Sequence, residues 1–353
     1  MKPADVIIDC ERMKYPHTGL YHYCYNLCMA LKDNADSKSE RLRFFLPPGE
    51  SGIFGKEQHY IHQHPWHKLA LRFLNKNTIW HSTSQGSSYF PSQNKTPVVL
   101  TIHDINIMHN QSKSETKKAA AIKALEKRIN RSSHITCISS FTLNDVQRYI
   151  DLTNKPLSVI HNGCNIKEIE NLQSPAFTPN APYYFTIGTI MEKKNFHVLP
   201  ALLTGNNYIL VIAGITQSSE YKERIITEAK KHGVEQRVVF TGPVTENDKQ
   251  WYLKNCSAFV FPSLTEGFGL PAVEAMYFGV PVFLSALTSL PEIGGDVCYY
   301  FDSFEKESMK SIIENGLLHY NSTDAKIKIQ ARAGLFSWQK AAVKYLEVYR
   351  SLY

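Results

Sequence analysis

The chain is 353 residues long, 43% hydrophobic and 20% charged, with a formal net charge of +7. That is the composition of a soluble globular protein, long enough for two domains with a cleft between them. No apolar run approaches a membrane span, and MKPADVIIDC lacks the apolar core and cleavage site of a secretory signal, so a cytoplasmic protein is expected.

Seven cysteines, an odd number without framework spacing, fit a reducing compartment. The charge is uneven: residues 1–176 carry 22 Lys and Arg against 15 Asp and Glu, and residues 177–353 carry 17 against 17. The excess suggests an anionic partner for the first half, a membrane surface or a phosphorylated acceptor, with a merely solvated excess as the alternative. Nucleic acid is not expected, since no basic run interleaved with aromatics and no recognisable motif supports it.

In chain order, VIIDC (6–10) reads as a buried strand, followed by a turn at His17, Thr18 and Gly19 and a helix with apolar Leu20, Cys24, Leu27, Cys28 and Leu31. Cys24 and Cys28 share a helical face and read as core rather than a metal site. Further strands are expected at 43–46, 78–81, 97–103, 134–138 and 157–161, with helices at 115–130 and 141–149. Between them lie four histidines, His59, His62, His64 and His67. Their spacing invites a metal reading, but no cysteine joins them and the only close acid is Glu57. Trp66, Leu69, Leu71, Phe73 and Leu74, with Lys68, Arg72 and Lys76, read either as a basic, partly apolar segment that could rest on a membrane or as a helix packed on its own domain. His103 and Asp104 come just after an apolar strand at a sheet's carboxyl edge, where a ligand contact is the preferred role for the histidine. Asp104 could orient the imidazole or cap the segment after it.

Residues 162–182, rich in Asn, Ser and Pro, mark a boundary. A second α/β series comes next, with strands at 183–187, 208–213, 237–241, 258–261 and 280–284 and helices at 196–203, 219–232, 247–255 and 270–278. The expected organisation is an N-terminal Rossmann-like domain (1–165), a linker (166–182), a C-terminal Rossmann-like domain (183–335) and a final helix (336–353) crossing back to the first domain. Both sheets should be parallel and face an interdomain cleft.

The most telling stretch is FPSLTEGFGLPAVEAMYFGVPV (261–282). A buried strand runs into a loop with Glu266, Gly267 and Gly269, then into a helix with Pro271 in its first turn. Backbone N–H groups at that helix start attract an anion, most naturally a phosphate. Glu274 lies one turn into an otherwise apolar helix, where a charge needs a polar partner. The plain alternative is a strand, turn and core helix with Glu274 salt-bridged. Gly267, Gly269 and Ala272 also fit a dinucleotide fingerprint, but the match comes late in the chain, Glu266 precedes it, and no acid ends the next strand. In GTIMEKKN, Lys193 and Lys194 come after a strand at the same edge and could supply two ammonium groups to a diphosphate without a metal ion.

Taken together, these segments resemble the retaining glycosyltransferases of family 4, which have a GT-B fold of two facing Rossmann-like domains. PSLTEGFGLPAVEAMYFGVPV resembles the family's E-x7-E signature through Glu266 and Glu274 and continues into SLPEIGGD. GTIMEKKN resembles its G-T-L-E-P-R-K-N phosphate segment, TIHD its histidine segment, HTGLYHY its glycine loop and VIHNG the end of its N-terminal domain. The resemblance implies that Glu266 contacts donor-sugar hydroxyls and that backbone around Gly267, Phe268, Gly269 and Leu270 holds sugar and phosphate. It further implies that Glu274 accepts from the ribose, Lys193 and Lys194 neutralise the diphosphate, His103 touches the donor sugar across the cleft, Gly19 leaves room for phosphates, and backbone near Gly242 to Val244 holds the base. Two departures stand out: Lys193 replaces an arginine, losing a bidentate fork, and the glycine loop has Leu20 and His22 in place of the commoner G-I-G-R-Y form.

The implied reaction moves a sugar, with mannose favoured, from a nucleotide diphosphate sugar to a glycan or lipid-linked glycan hydroxyl in surface polysaccharide or lipopolysaccharide assembly. Retention at the anomeric carbon, no metal and no cofactor beyond the nucleotide sugar are implied; the expected location is cytoplasmic, with peripheral contact at the inner face of the membrane as an option for the basic N-terminal domain. The competing readings are a nucleotide-sugar-binding protein without catalysis and a nicotinamide-dependent dehydrogenase.

Overall fold

The computed structural model describes residues 3–16, 18–91, 95–110, 113–164 and 166–353. His17 of the expected turn and Asn165 at the expected domain end lie outside the described residues. The chain divides into two compact units, Met1–Gly163 with Ser337–Tyr353, and Cys164–Phe336.

Unit 1 holds β1 (Ala4–Asp9), α1 (Gly19–Asn34), β2 (Glu40–Leu46), β3 (His59–His62), β4 (Thr78–Ser82), β5 (Val98–Ile102), α2 (Glu115–Arg131), β6 (His134–Cys137), α3 (Ser140–Gln147) and β7 (Leu157–Val159). Every strand pair is parallel, in the order β3-β2-β1-β4-β5-β6-β7. The inner strands are near-continuous apolar runs because helices cover both faces, and Ile7, Phe45, Trp80 and Val98 share one buried cluster. Thr18, Ser114 and Ser139 cap the three helices by accepting a backbone N–H from the first turn.

The segment from His59 to Lys76 is not the packed helix that one of its readings expects. His59–His62 is the edge strand β3, in parallel register with Arg43–Leu46. It is short and only half-buried, so its sequence carries no apolar alternation to announce it. His64 and His67 then cap a 3₁₀ turn, Pro65–Lys68: His64 Nδ1 accepts from Trp66 N–H and His67 Nδ1 from His64 N–H. Among the described residues of this segment no α-helix forms. Leu71 and Leu74 enter the unit 1 core, while Trp66 and Leu69 stay exposed. Among the described residues no three His, Cys, Asp or Glu side chains are grouped as metal ligands. Cys24 and Cys28 are buried on the inner face of α1.

Unit 2 holds β8 (Tyr183–Ile187), β9 (Ile209–Ala213), α4 (Ser219–Lys231), β10 (Val238–Gly242), α5 (Glu246–Asn255), β11 (Ala258–Phe261), α6 (Leu270–Phe278), β12 (Val282–Ser285), α7 (Leu290–Gly294), β13 (Tyr299–Phe301), α8 (Lys306–Ser322) and α9 (Ala325–Ala333). Its six parallel strands run β10-β9-β8-β11-β12-β13, the doubly wound Rossmann order. Phe196–Leu203 is 3₁₀ rather than α-helical, because Pro200 inside it lacks an N–H and clashes with the preceding turn. Residues 166–182 are no free tether. Ile169 N–H donates to Gln250 on α5, Gln173 pairs with Asn247, and Tyr252 donates to Phe177 O.

The last helix, α10 (Trp338–Arg350), belongs to unit 1. It is fastened by polar contacts that are otherwise buried: the Tyr23 and Tyr345 hydroxyls are 2.7 Å apart, and Tyr349 Oη is 2.6 Å from His81 Nδ1. His81 Nε2 meets Thr101 Oγ1 at 2.8 Å, and Arg350 forks onto Glu40. Burial pushes the His81 pKa down to about 3, so the ring is a neutral link in this network.

Candidate active site

In the unit 2 sheet β8 and β11 are neighbours, but the chain leaves β8 toward β9 and leaves β11 toward β12 on the other side. The two departing loops part and open a crevice at the carboxyl edge, which is where open α/β sheets take ligands. The sequence puts GTIMEKKN on the first loop and SLTEGFG on the second. The fold joins them: Lys194 Nζ stands 2.6 Å from Glu266 Oε1, with the two side chains only 11% and 12% exposed. Lys194 also lies over the Phe261 ring, 4.7 Å from its centroid. Gly188 admits this arrangement, since a Cβ there would stand 3.2 Å from Lys194 Cε. The backbones are tied as well, Leu264 N–H donating to Lys193 O.

Glu266 is fixed from a third side. Its N–H donates to Thr288 Oγ1 at 3.1 Å and its carbonyl accepts from Ser289 Oγ at 3.0 Å, both from the loop after β12. Ser289 opens the SLPEIGGD continuation of the signature, and Thr288 comes just before it. Close by in sequence, two buried polar atoms, Asn195 Nδ2 after Lys194 and Ser263 Oγ after β11, have no hydrogen-bond partner among the described residues. Buried polar groups are almost always satisfied, so two such atoms on these loops point to a polar ligand or to water.

Gly269 begins α6 at φ +95°, and a Cβ there would meet Leu290 Cδ2 at 2.6 Å. Both the backbone and the space therefore demand glycine. Among the described residues no side chain caps this helix, and Pro271 comes after Leu270 in its first turn. Gly267, Phe268 and Leu270 complete the loop, with the Phe268 ring packed edge-on against Phe336.

Glu274 has a partner that the sequence did not reveal. Lys249 on α5 approaches Glu274 Oε1 at 2.6 Å and Glu246 Oε2 at 3.0 Å. Burial draws the Lys249 pKa down, but the two carboxylates outweigh it and hold the ammonium well above its ordinary range. The salt-bridged reading of Glu274 is thus correct as far as it goes. An apolar helix bearing one carboxylate implied a cation somewhere, but nothing in the local pattern singled out Lys249. Gly242 ends β10 at φ +72° and Val244 lies two residues on, just ahead of the Thr245 and Asp248 capping box of α5.

The remaining candidates are in unit 1. His103 is buried, its Nε2 donates to Thr83 O at 2.7 Å, and its ring meets Tyr23 edge-on. Burial lowers its pKa against the opposing pull of that carbonyl and of Asp104, so the imidazole is neutral. Asp104 does not orient the ring by a hydrogen bond; its Oδ1 accepts from Asn106 N–H and caps the next turn. Gly19 starts α1, and a Cβ there would meet nothing within 4 Å.

Two family models match the chain: Glycosyltransferase Family 4 over residues 23–168 and Glycosyl transferases group 1 over residues 167–332. The O-antigen chain mannosyltransferase B of Escherichia coli is 23% identical, covering 98% of this chain and 100% of that protein. Sucrose-phosphate synthase from Thermosynechococcus elongatus superposes with a TM-score of 0.75 at 17% identity, covering 99% of each chain. Anabaena HepE in complex with UDP and glucose gives 0.70 at 15%, covering 99% of this chain and 100% of that one. Two parallel Rossmann-like sheets, the two signature glutamates, one in the loop before α6 and one on α6, and the paired family models lead to one assignment: the chain is a glycosyltransferase of family 4 with the GT-B fold.

Proposed function

We propose that the protein transfers mannose from a nucleoside diphosphate sugar to a glycan or lipid-linked glycan hydroxyl during surface polysaccharide assembly, with retention and without a metal ion. The observation that carries this reading is the Lys194–Glu266 pair at the β8/β11 crevice. In that pair a cation suited to a diphosphate touches a carboxylate suited to sugar hydroxyls. Mannose and the polysaccharide setting draw support from the full-length O-antigen mannosyltransferase relative, and a nucleotide sugar from the UDP and glucose held by HepE on the same fold.

On donor binding, the diphosphate draws Lys194 Nζ away from Glu266 and frees that carboxylate to accept from the sugar. Glu274, held at Oε1 by Lys249, receives the ribose hydroxyls. The bond from the anomeric carbon to the β-phosphate oxygen breaks, and the acceptor oxygen bonds to the same face of that carbon. The acceptor proton passes to the departing phosphate, whose charge Lys193, Lys194 and the α6 start stabilise.

A thermal-shift and turnover screen of guanosine, uridine, adenosine and thymidine diphosphate sugars tests the proposal. Guanosine diphosphate mannose should stabilise most, turn over in EDTA and give an α-linked product. A preference for another base or sugar removes mannose, an inverted product removes retention, and stabilisation without turnover leaves only a binding protein.

A further inference from the structure

Trp66 and Leu69, 70% and 74% exposed, are the two most exposed large hydrophobic side chains among the described residues. They are three residues apart on the Pro65–Lys68 3₁₀ turn, with Leu69 N–H donating to Trp66 O at 3.0 Å. At a period of three residues per turn, i and i+3 eclipse, so the two side chains form one apolar ridge. The ridge is rigid. His64 and His67 lock the turn from inside, and Leu71 and Leu74 anchor its far end in the core beside Phe45 and Trp80.

Its surroundings are cationic. Lys68, Arg72 and Lys76 are all exposed, and no Asp or Glu occurs from Gln58 to His103. The turn comes directly after β3, so within the parallel unit 1 sheet it lies at the carboxyl edge, the edge that also carries Gly19 and His103. Side chains left this far in solvent bury little apolar surface within the fold. A tryptophan beside a leucine with lysine and arginine around them matches the chemistry of a bilayer interface with anionic headgroups.

We infer that the Trp66–Leu69 turn is a membrane wedge that seats unit 1 on an anionic lipid surface, the ridge entering the headgroup region while Lys68, Arg72 and Lys76 meet lipid phosphates. No helix among the described residues is long and apolar enough to cross a membrane, so the attachment is peripheral and reversible. The inference does not depend on which sugar the enzyme moves.

The test is flotation of the full chain with phosphatidylcholine vesicles and with vesicles containing about 30% phosphatidylglycerol, at low and high salt. Binding should require phosphatidylglycerol and weaken with salt. Trp66→Ala with Leu69→Ala should weaken partitioning about tenfold or more, and each of Lys68→Gln, Arg72→Gln and Lys76→Gln about fivefold. Trp66→Phe should keep binding but lose quenching by brominated lipid. Unchanged thermal midpoint and donor hydrolysis in the double variant show that the fold and the donor site are intact, whatever the donor proves to be. The wedge is overturned if the chain ignores phosphatidylglycerol vesicles, if the double variant floats like the parent, or if the ridge instead drives self-association measured by sedimentation.

Discussion

Replacing Lys194 by Met keeps an apolar stem over Phe261 and deletes one charge of a pair at 2.6 Å, leaving Glu266 nearly buried without its cation. Breaking a fully buried pair costs about 3–5 kcal/mol. Each side chain here keeps about a tenth of its surface in water, which puts the cost nearer ~2–3 kcal/mol, or a fall in thermal midpoint of about 5–10 °C. If Lys194 also stabilises the departing diphosphate, kcat should drop about 10²–10³-fold. The two effects separate in a cycle with Glu266→Gln, monitored by nucleoside diphosphate release and thermal melts. The double variant should recover most of the lost midpoint, because the stranded carboxylate is gone. Its kcat should still lie about a hundredfold below that of Glu266→Gln alone. Equal kcat for Glu266→Gln and the double variant would show that the lysine acts only through its partner, and the diphosphate role would fall.

Lys249→Met should raise donor KM about tenfold or more with a smaller change in kcat, and Lys249→Arg should restore part of it; steady-state kinetics on the donor decide. Gly269→Ala should destabilise by about 1–3 kcal/mol and depress activity with it, since the positive φ and Leu290 both oppose a Cβ; denaturant melts beside turnover check this. On acidification from pH 7 to 5 the thermal midpoint should fall. His81 (pKa about 3) and His197 (about 4) stay neutral when folded but take up protons when unfolded, so stability is lost below their ordinary value of 6.5, and the lowering of His103 and His134 by burial acts in the same direction. Asp9, raised to about 7 by burial, opposes this as a single group. A flat midpoint across that range would refute the balance.

Much of the fold was written in the sequence as punctuation and apolar runs. ILVIA and AFVF read as strands because short apolar runs of this length suit a strand buried on both faces. The 3₁₀ character of Phe196–Leu203 was also legible, through Pro200, but yields to an apolar count that looks helical. β3 was not legible: HYIH gains its strand geometry from pairing with Arg43–Leu46 of the preceding strand, and not from its own pattern. At the site, Glu266 and Lys194 were readable because each sits after an apolar strand. Lys249 was not, because its pairing with Glu274 is made by the packing of α5 on α6 and not by any spacing.

The return of α10 to unit 1 makes that unit a discontinuous fold, interrupted by the whole of unit 2. During synthesis the Cys164–Phe336 segment can close its own sheet as soon as it emerges. Unit 1 must wait, with Tyr23, His81 and Glu40 facing water, until Tyr345, Tyr349 and Arg350 arrive. Ribosome stalling or proteolysis anywhere between 337 and 350 would then leave a finished unit 2 and an unfinished unit 1. Such a chain should show itself by protease-sensitive residues 1–163 and a resistant core from 164 to 336.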